Sequence, residues 1–141
     1  MIELTSGYYG SSINRHDNGG TPERIIEEII QEFGSFFDPC PNNPSFDGLS
    51  LEWSKISKVV YVNPPYSRGN LKKWVKKCYE EFLNGCTVIM LIPSYTDTEY
   101  FHDFIYPYAE LRFLKGRLKF KGYDAPASFP SMLCIFRPGG E

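Results

Sequence analysis

The stretch that most constrains this chain is Val59-Val60-Tyr61-Val62-Asn63-Pro64-Pro65-Tyr66-Ser67. A run of β-branched and aromatic residues suits a buried strand. The two prolines that follow forbid its continuation, because proline cannot donate to a ladder. Asn63 and Tyr66 are therefore expected in a stiff turn at the carboxyl end of a strand, the edge at which open α/β sheets bind ligands. An Asn side chain offers a carbonyl acceptor and an amide donor. Pro64 lacks an N–H and presents only its carbonyl oxygen. Two oxygens on neighbouring residues suit the two hydrogens of one exocyclic amine, and Tyr66 adds a flat π-face. Such a turn would hold a planar amino-bearing ring and aim its nitrogen lone pair at an electrophile. A Pro-rich turn without a role is the plain alternative.

Around this turn the chain alternates helical and strand patterns, which implies an α/β fold with a mainly parallel central sheet. Thr21 is expected as an N-cap, with Pro22 at the first helical position and Glu23 in the first turn. Ile25, Ile26, Ile29, Ile30 and Phe33 then recur on one helical face, and Gly34 ends the helix. Phe36-Phe37-Asp38 reads as a short strand ending in an acid, followed by a proline-rich loop through Pro39, Cys40, Pro41 and Pro44. Asp47-Gly48 is a turn signal, with Leu49, Leu51 and Trp53 after it; Trp53 is read as core. A second amphipathic helix carries Leu71, Trp74, Val75, Cys78, Phe82 and Leu83, closed by Asn84-Gly85. Its polar face holds Lys72, Lys73, Lys76 and Lys77, read as a solvated face with a nucleic-acid-facing patch as the sharper alternative.

Cys86 to Ile92 is a buried strand stopped by Pro93, and Thr96-Asp97-Thr98-Glu99 supplies caps for a short helix through Tyr106. His102 in that helix is read as a surface or partly buried residue. Leu111–Leu114 and Leu118–Phe120 alternate as strands about Lys115-Gly116-Arg117, and Met132–Phe136 is the last strand. These closing strands are expected to include an antiparallel edge. Arg112, Lys115, Arg117, Lys119 and Lys121 concentrate positive charge there, the best candidate surface for a nucleic acid. Residues 1–20 read as an irregular arm with Tyr8 and Tyr9 as anchors, and 21–141 as a single domain.

Composition sets limits. The net charge is −2, so any nucleic-acid partner must be held by local charge rather than by a global basic surface. The four cysteines show no Cys-x-x-Cys pair, which argues against zinc, and three of them read as small core hydrophobes of a reducing compartment. No signal peptide and no long apolar segment is visible, so a cytoplasmic soluble protein is expected.

Asn-Pro-Pro-Tyr after a hydrophobic strand is similar to the catalytic motif of S-adenosylmethionine-dependent amino-methyltransferases. The surrounding order resembles one branch, the small phage-type (Dam-like) DNA N6-adenine methyltransferases. It comprises Thr21-Pro22-Glu23, Phe37-Asp38-Pro39-Cys40, Asp47-Gly48-Leu49 with Trp53, Asn63 to Ser67, Pro93 with Thr96-Asp97-Thr98, and Phe113 to Phe120. The resemblance implies a reduced Rossmann-like methyltransferase fold that moves the methyl of S-adenosyl-L-methionine to the exocyclic amine of a flipped adenine. It implies catalysis by Asn63, Pro64, Pro65 and Tyr66. Thr21, Pro22, Asp38, Pro39, Cys40, Asp47 and Asn63 would hold the cofactor, with Glu52 as the alternative acid for the ribose. Tyr66, Ser67, Arg68, Lys115, Arg117 and Lys119 would meet DNA. No metal is required. A bacterial or phage-infected host cell and a possible homodimer fit the same picture. The Gly-rich cofactor loop of larger methyltransferases is absent, as is a separate target-recognition region. Other readings stand beside this one: transfer to cytosine N4, where Ser more often replaces Asn63, to RNA or to protein glutamine, or a degenerate fold that only binds nucleic acid or protein.

Overall fold

The strand expected before the Asn-Pro-Pro-Tyr turn forms as β1 (Val59–Val62), in a computed structural model that describes residues 20–42 and 44–139. The arm with Tyr8 and Tyr9 lies outside the described residues. Three further strands, β2 (Thr87–Pro93), β3 (Glu110–Phe113) and β4 (Ser131–Phe136), complete a sheet of order β1-β2-β4-β3. β1 and β2 are parallel, with Val62 opposite Met90. β4 is antiparallel both to β2, with Pro93 opposite Ser131, and to β3, with Phe113 opposite Met132.

Two of the three ladders are thus antiparallel, and the sheet is mixed rather than mainly parallel with an antiparallel edge. The cause is a single reversed strand. β1, β2 and β3 run in one direction, and β4 slots between β2 and β3, reversing both of its pairings. Residues 114–130, which join β3 to β4, contain no helix, and a parallel return would need a crossover, usually helical. The strand expected at 36–38 contracts to one parallel bridge between Phe37 and Val60. The strand expected at 118–120 does not form. Leu118 and Phe120 are buried about an exposed Lys119, and the chain then meets Gly20 through a bridge at Lys121.

The period-2 alternation of the strands divides the core into two layers. On one face, α1 (Glu23–Phe33) lays Ile25, Ile26 and Ile29 over Tyr61, Ile89, Leu91, Leu133 and Ile135. On the other, α2 (Asn70–Leu83) packs Leu71, Trp74, Val75 and Cys78 against Val60, Val62, Val88, Met90 and Cys134. Gly34 ends α1 at φ 87°, donating its N–H to the Ile30 carbonyl at 2.8 Å. All four cysteines are buried.

Residues 48–55 wind into two short 3-10 turns around a fully buried Trp53. Glu81 of α2, itself buried, accepts the backbone N–H groups of Trp53 and Ser54 and pairs with Lys77 at 2.9 Å. Lys77 also donates to the Leu51 carbonyl at 2.7 Å. Lys77 therefore belongs to the inside of the helix and not to the solvated lysine face on which the sequence placed it. The short helix expected through Tyr106 forms over 99–105 and widens into a π-type turn at Phe101–Ile105, closed by Tyr106 N–H to the Phe101 carbonyl. Thr98 caps it by accepting Phe101 N–H, and His102 is exposed. Among the described residues no helix is long and apolar enough to cross a membrane.

Candidate active site

Asn63 follows β1 at the position that shares a sheet face with Tyr61, the face covered by α1. It is 7% exposed, Pro64 is buried, and Pro65 and Tyr66 are half-buried. The Asn63 Nδ2 group donates to Thr21 Oγ1 at 3.1 Å, and Thr21 Oγ1 lies 2.6 Å from Tyr61 Oη. Tyr66 Oη donates towards Asn63 Oδ1 at 2.9 Å and towards the Leu91 carbonyl at 3.0 Å. Burial holds the Tyr61 phenol far above its usual range, so it acts as a neutral hydroxyl. The Tyr66 ring meets Phe129 and Phe120 edge to face at 5.7 and 6.3 Å, and Phe129 in turn meets Tyr95.

Thr21 is not the helix cap that the sequence suggested. α1 starts at Glu23, and Pro22 in extended geometry precedes it, its carbonyl accepting Ile25 and Ile26 N–H. The Thr21 hydroxyl turns instead to the sheet, where Asn63 and Tyr61 take it up in a buried setting.

The other candidate cofactor residues gather at the same edge. The Phe37–Val60 bridge runs parallel to β1, so Asp38, Pro39 and Cys40 leave the sheet beside Asn63. Asp38 is buried, and its Oδ1 accepts Cys40 N–H at 2.8 Å. Gly48 presses on this loop: a Cβ there would stand 1.9 Å from the Pro39 carbonyl oxygen. That close approach brings Asp47, whose Oδ1 accepts Leu49 N–H, next to Pro39. Glu52, by contrast, is exposed and pairs with Lys55 at 3.0 Å. Two buried hydroxyls, Ser94 Oγ just beyond β2 and Ser131 Oγ opposite Pro93, have no hydrogen-bond partner among the described residues. They leave polar capacity at the same end of the sheet.

The candidate DNA residues divide. Ser67 accepts from Asn70 in the turn that opens α2, and Arg68 is exposed. Arg112 is bound in a cluster, two-pronged to Glu32 at 2.7 and 2.8 Å and to Glu110 at 2.8 Å, with Arg137 joining both acids. Lys121 pairs with Glu23 at 2.7 Å. Lys115, Arg117 and Lys119 are exposed, and they follow Phe113, which lies at the Pro93 end of the sheet. Of the basic stretch, these three therefore face solvent at the site edge, whereas Arg112 and Lys121 serve as internal ties.

Sequence reasoning missed Tyr61, Leu91, Phe120 and Phe129 as site residues. Two-residue alternation back from Asn63 identifies Tyr61. The Leu91 carbonyl is a backbone group with no sequence signal, and Phe129 sits in a loop without periodicity.

A family model for DNA N-6-adenine-methyltransferases (Dam) matches residues 11–138. No curated protein and no solved structure matches the chain.

Proposed function

The chain belongs to the DNA N-6-adenine-methyltransferase (Dam) family, and we propose that it transfers the methyl group of S-adenosylmethionine to N6 of an adenine in DNA. The observation that supports this most directly is the Asn63 amide, buried at the end of β1 with its oxygen turned towards Tyr66 and its nitrogen held by Thr21. N6 lies inside the duplex, so the base must be flipped out or already unpaired.

The adenine amine is a weak nucleophile because its lone pair is delocalised into the ring. Asn63 Oδ1 and the Pro64 carbonyl would accept its two hydrogens, favour a more sp³-like nitrogen, and offset the positive charge that develops during attack. Tyr66 would pack its ring on the base. The single Tyr66 proton has a second acceptor in the Leu91 carbonyl, so Oδ1 is released to the amine without leaving the phenol unpaired. Alignment of amine and methyl contributes most of the rest.

The donor set fits the cofactor. A buried carboxylate at Asp38 suits an α-ammonium group, and the N-terminus of α1 beyond Thr21-Pro22 suits a carboxylate. Asp47, held against Pro39, suits ribose hydroxyls, with Cys40 beside it. The orphan hydroxyls of Ser94 and Ser131 point to a ligand at this edge. When bound, S-adenosylmethionine supplies a methyl on a sulfonium, an electrophile that needs no further activation. Ser67, Arg68, Lys115, Arg117 and Lys119 would meet the phosphates.

The test is radiolabelled methyl transfer to unmethylated duplex, single-stranded DNA and RNA, followed by nucleoside analysis. The expected product is N6-methyladenine in DNA. Asn63→Ala is expected to lower turnover by on the order of 10²–10³ while calorimetry shows near-normal cofactor binding. Wild-type turnover in Asn63→Ala would exclude the chemistry, and no binding of S-adenosylmethionine would mark a scaffold. Label in cytosine, RNA or protein would redirect the assignment.

A further inference from the structure

A primary amide has nearly the same shape at both ends but opposite polarity, and only its hydrogen-bond partners decide which end points where. The transfer reaction needs the oxygen of Asn63, not its NH2, at the incoming amine. The Tyr66 side of the amide does not enforce this. A Tyr66 hydroxyl that gives its proton to the Leu91 carbonyl, 3.0 Å away, has lone pairs for an NH2 as readily as its proton serves Oδ1. Discrimination must come from the other end, where Nδ2 meets Thr21 Oγ1 at 3.1 Å.

A threonine hydroxyl can donate as well as accept. Thr21 Oγ1 and Tyr61 Oη lie 2.6 Å apart and either can donate; when the Thr21 proton goes to Tyr61, Thr21 keeps its lone pairs towards Asn63. The reverse relay, Tyr61 donating to Thr21 and Thr21 to Asn63, would turn the NH2 outward to the substrate. We propose that Tyr61 and Thr21 form a hydroxyl relay that sets the polarity of the Asn63 amide, and so act as positioning residues for methyl transfer. The three groups are well shielded, at 1%, 9% and 7% exposure for Tyr61, Thr21 and Asn63, so water competes little for these bonds. The inference rests on the proposed role of Asn63 in the reaction, but it concerns groups that would not touch DNA.

Tyr61→Phe removes the hydroxyl that can take the Thr21 proton, so nothing on that side keeps Thr21 from donating to Asn63. Turnover is expected to fall about tenfold, the worth of one neutral hydrogen bond, with the KM for DNA and the affinity for S-adenosylmethionine unchanged. Thr21→Val is expected to lower turnover at saturating S-adenosylmethionine by a like factor, and Thr21→Ser to restore it. Asn63→Asp presents oxygen at both ends, so adding Tyr61→Phe to it should cost nothing further. The Asn63 side-chain amide gives a readout independent of catalysis: its NH2 resonances in the free protein should shift in Tyr61→Phe and in Thr21→Val but not in Thr21→Ser. Wild-type turnover in a folded Tyr61→Phe, or Asn63 amide resonances unmoved by both substitutions, would overturn the relay. Failure of the Asn63 role shows separately, as activity retained in Asn63→Ala, and failure of the methyltransferase reading as wild-type protein that binds no S-adenosylmethionine and transfers no methyl.

Discussion

The Tyr66 hydroxyl and the Asn63 carbonyl oxygen are hydrogen-bonded at 2.9 Å, so the ring proposed to hold the base and the acceptor proposed for its amine are already joined. In the proposed reaction, an entering amine would have to displace the Tyr66 proton from Oδ1. The Leu91 carbonyl, 3.0 Å from the same hydroxyl, makes that displacement inexpensive.

Two substitutions separate the ring of Tyr66 from its hydroxyl. Tyr66→Phe removes the competitor for Oδ1 and keeps the aromatic face, so the KM for DNA is expected to stay level or fall. Tyr66→Ala removes the face, and base–aromatic stacking is worth about 1–3 kcal/mol, so the KM is expected to rise roughly 10- to 100-fold. Steady-state kinetics on a duplex and on a single strand with the same adenine would check both. A Tyr66→Phe enzyme as impaired as Tyr66→Ala would show that the hydroxyl, not the ring, carries the function.

The turn at 63–66 was legible because proline chemistry acts locally: a strand followed by two prolines has few places to go. The face assignment of α1 and the burial of Trp53 were legible for a similar reason, since apolar spacing reports burial directly. Strand direction was legible only in part: an antiparallel edge was expected among the closing strands, and β3 and β4 do pair that way. Nothing in the residues of β4 says that it enters between β2 and β3 in reverse; that follows from the chain emerging from residues 114–130 at the same end of the sheet where β3 finished. Nor could local pattern show that Thr21 prefers Asn63 to the helix N-terminus, because the competing partners lie 40 and 42 residues away in sequence. The ties of Arg112 were hidden for the same reason. Its charge is visible in the sequence, but its pairing with Glu32 is not.

That pairing has a pH signature. The hydrogen bonds from Arg112, reinforced by Arg137, hold the Glu32 carboxyl at about 2 against its ordinary 4.5. A folded-state value below the unfolded one stabilises the protein above pH 4.5 and is lost as pH falls towards 2. The Glu32 side chain is 39% exposed, so solvent and salt weaken the effect. Acid titration of stability by urea denaturation is expected to be shallower in Glu32→Gln than in wild type across that window, with the difference shrinking in high salt. Identical slopes would mean that the cluster contributes nothing beyond its geometry.

Gly48 tests the coupling between the 47–49 turn and the loop of Asp38. An added Cβ would lie 1.9 Å from the Pro39 carbonyl oxygen and 2.9 Å from the Trp74 ring, and the first of these is backbone. Either the 38–40 loop moves or the 48–55 turns do, at a cost of about 3 kcal/mol or more. Gly48→Ala is therefore expected to lower the urea midpoint. Calorimetry is expected to show a loss of S-adenosylmethionine affinity even at temperatures where the variant remains folded. Affinity unchanged in the folded variant would place the cofactor away from Asp38, Pro39 and Asp47.

The last prediction concerns the exposed cations. Lys115, Arg117 and Lys119 follow β3 at the site end of the sheet, whereas Arg112 is bound to Glu32 and Glu110. Each phosphate that a cation no longer neutralises should reduce the slope of log affinity against log salt by about 0.9. Replacing all three exposed cations by Gln is therefore expected to flatten that slope by up to about 3 and to raise the KM for DNA at low salt. Turnover at saturating DNA and cofactor affinity should stay in place. Arg112→Gln is the informative contrast, because its guanidinium is already occupied: it should lower the urea midpoint and leave the salt slope alone. If Arg112→Gln flattens the slope and the triple variant does not, the DNA path runs over the Glu32–Arg112–Arg137 cluster, and the surface assigned to Lys115, Arg117 and Lys119 is wrong.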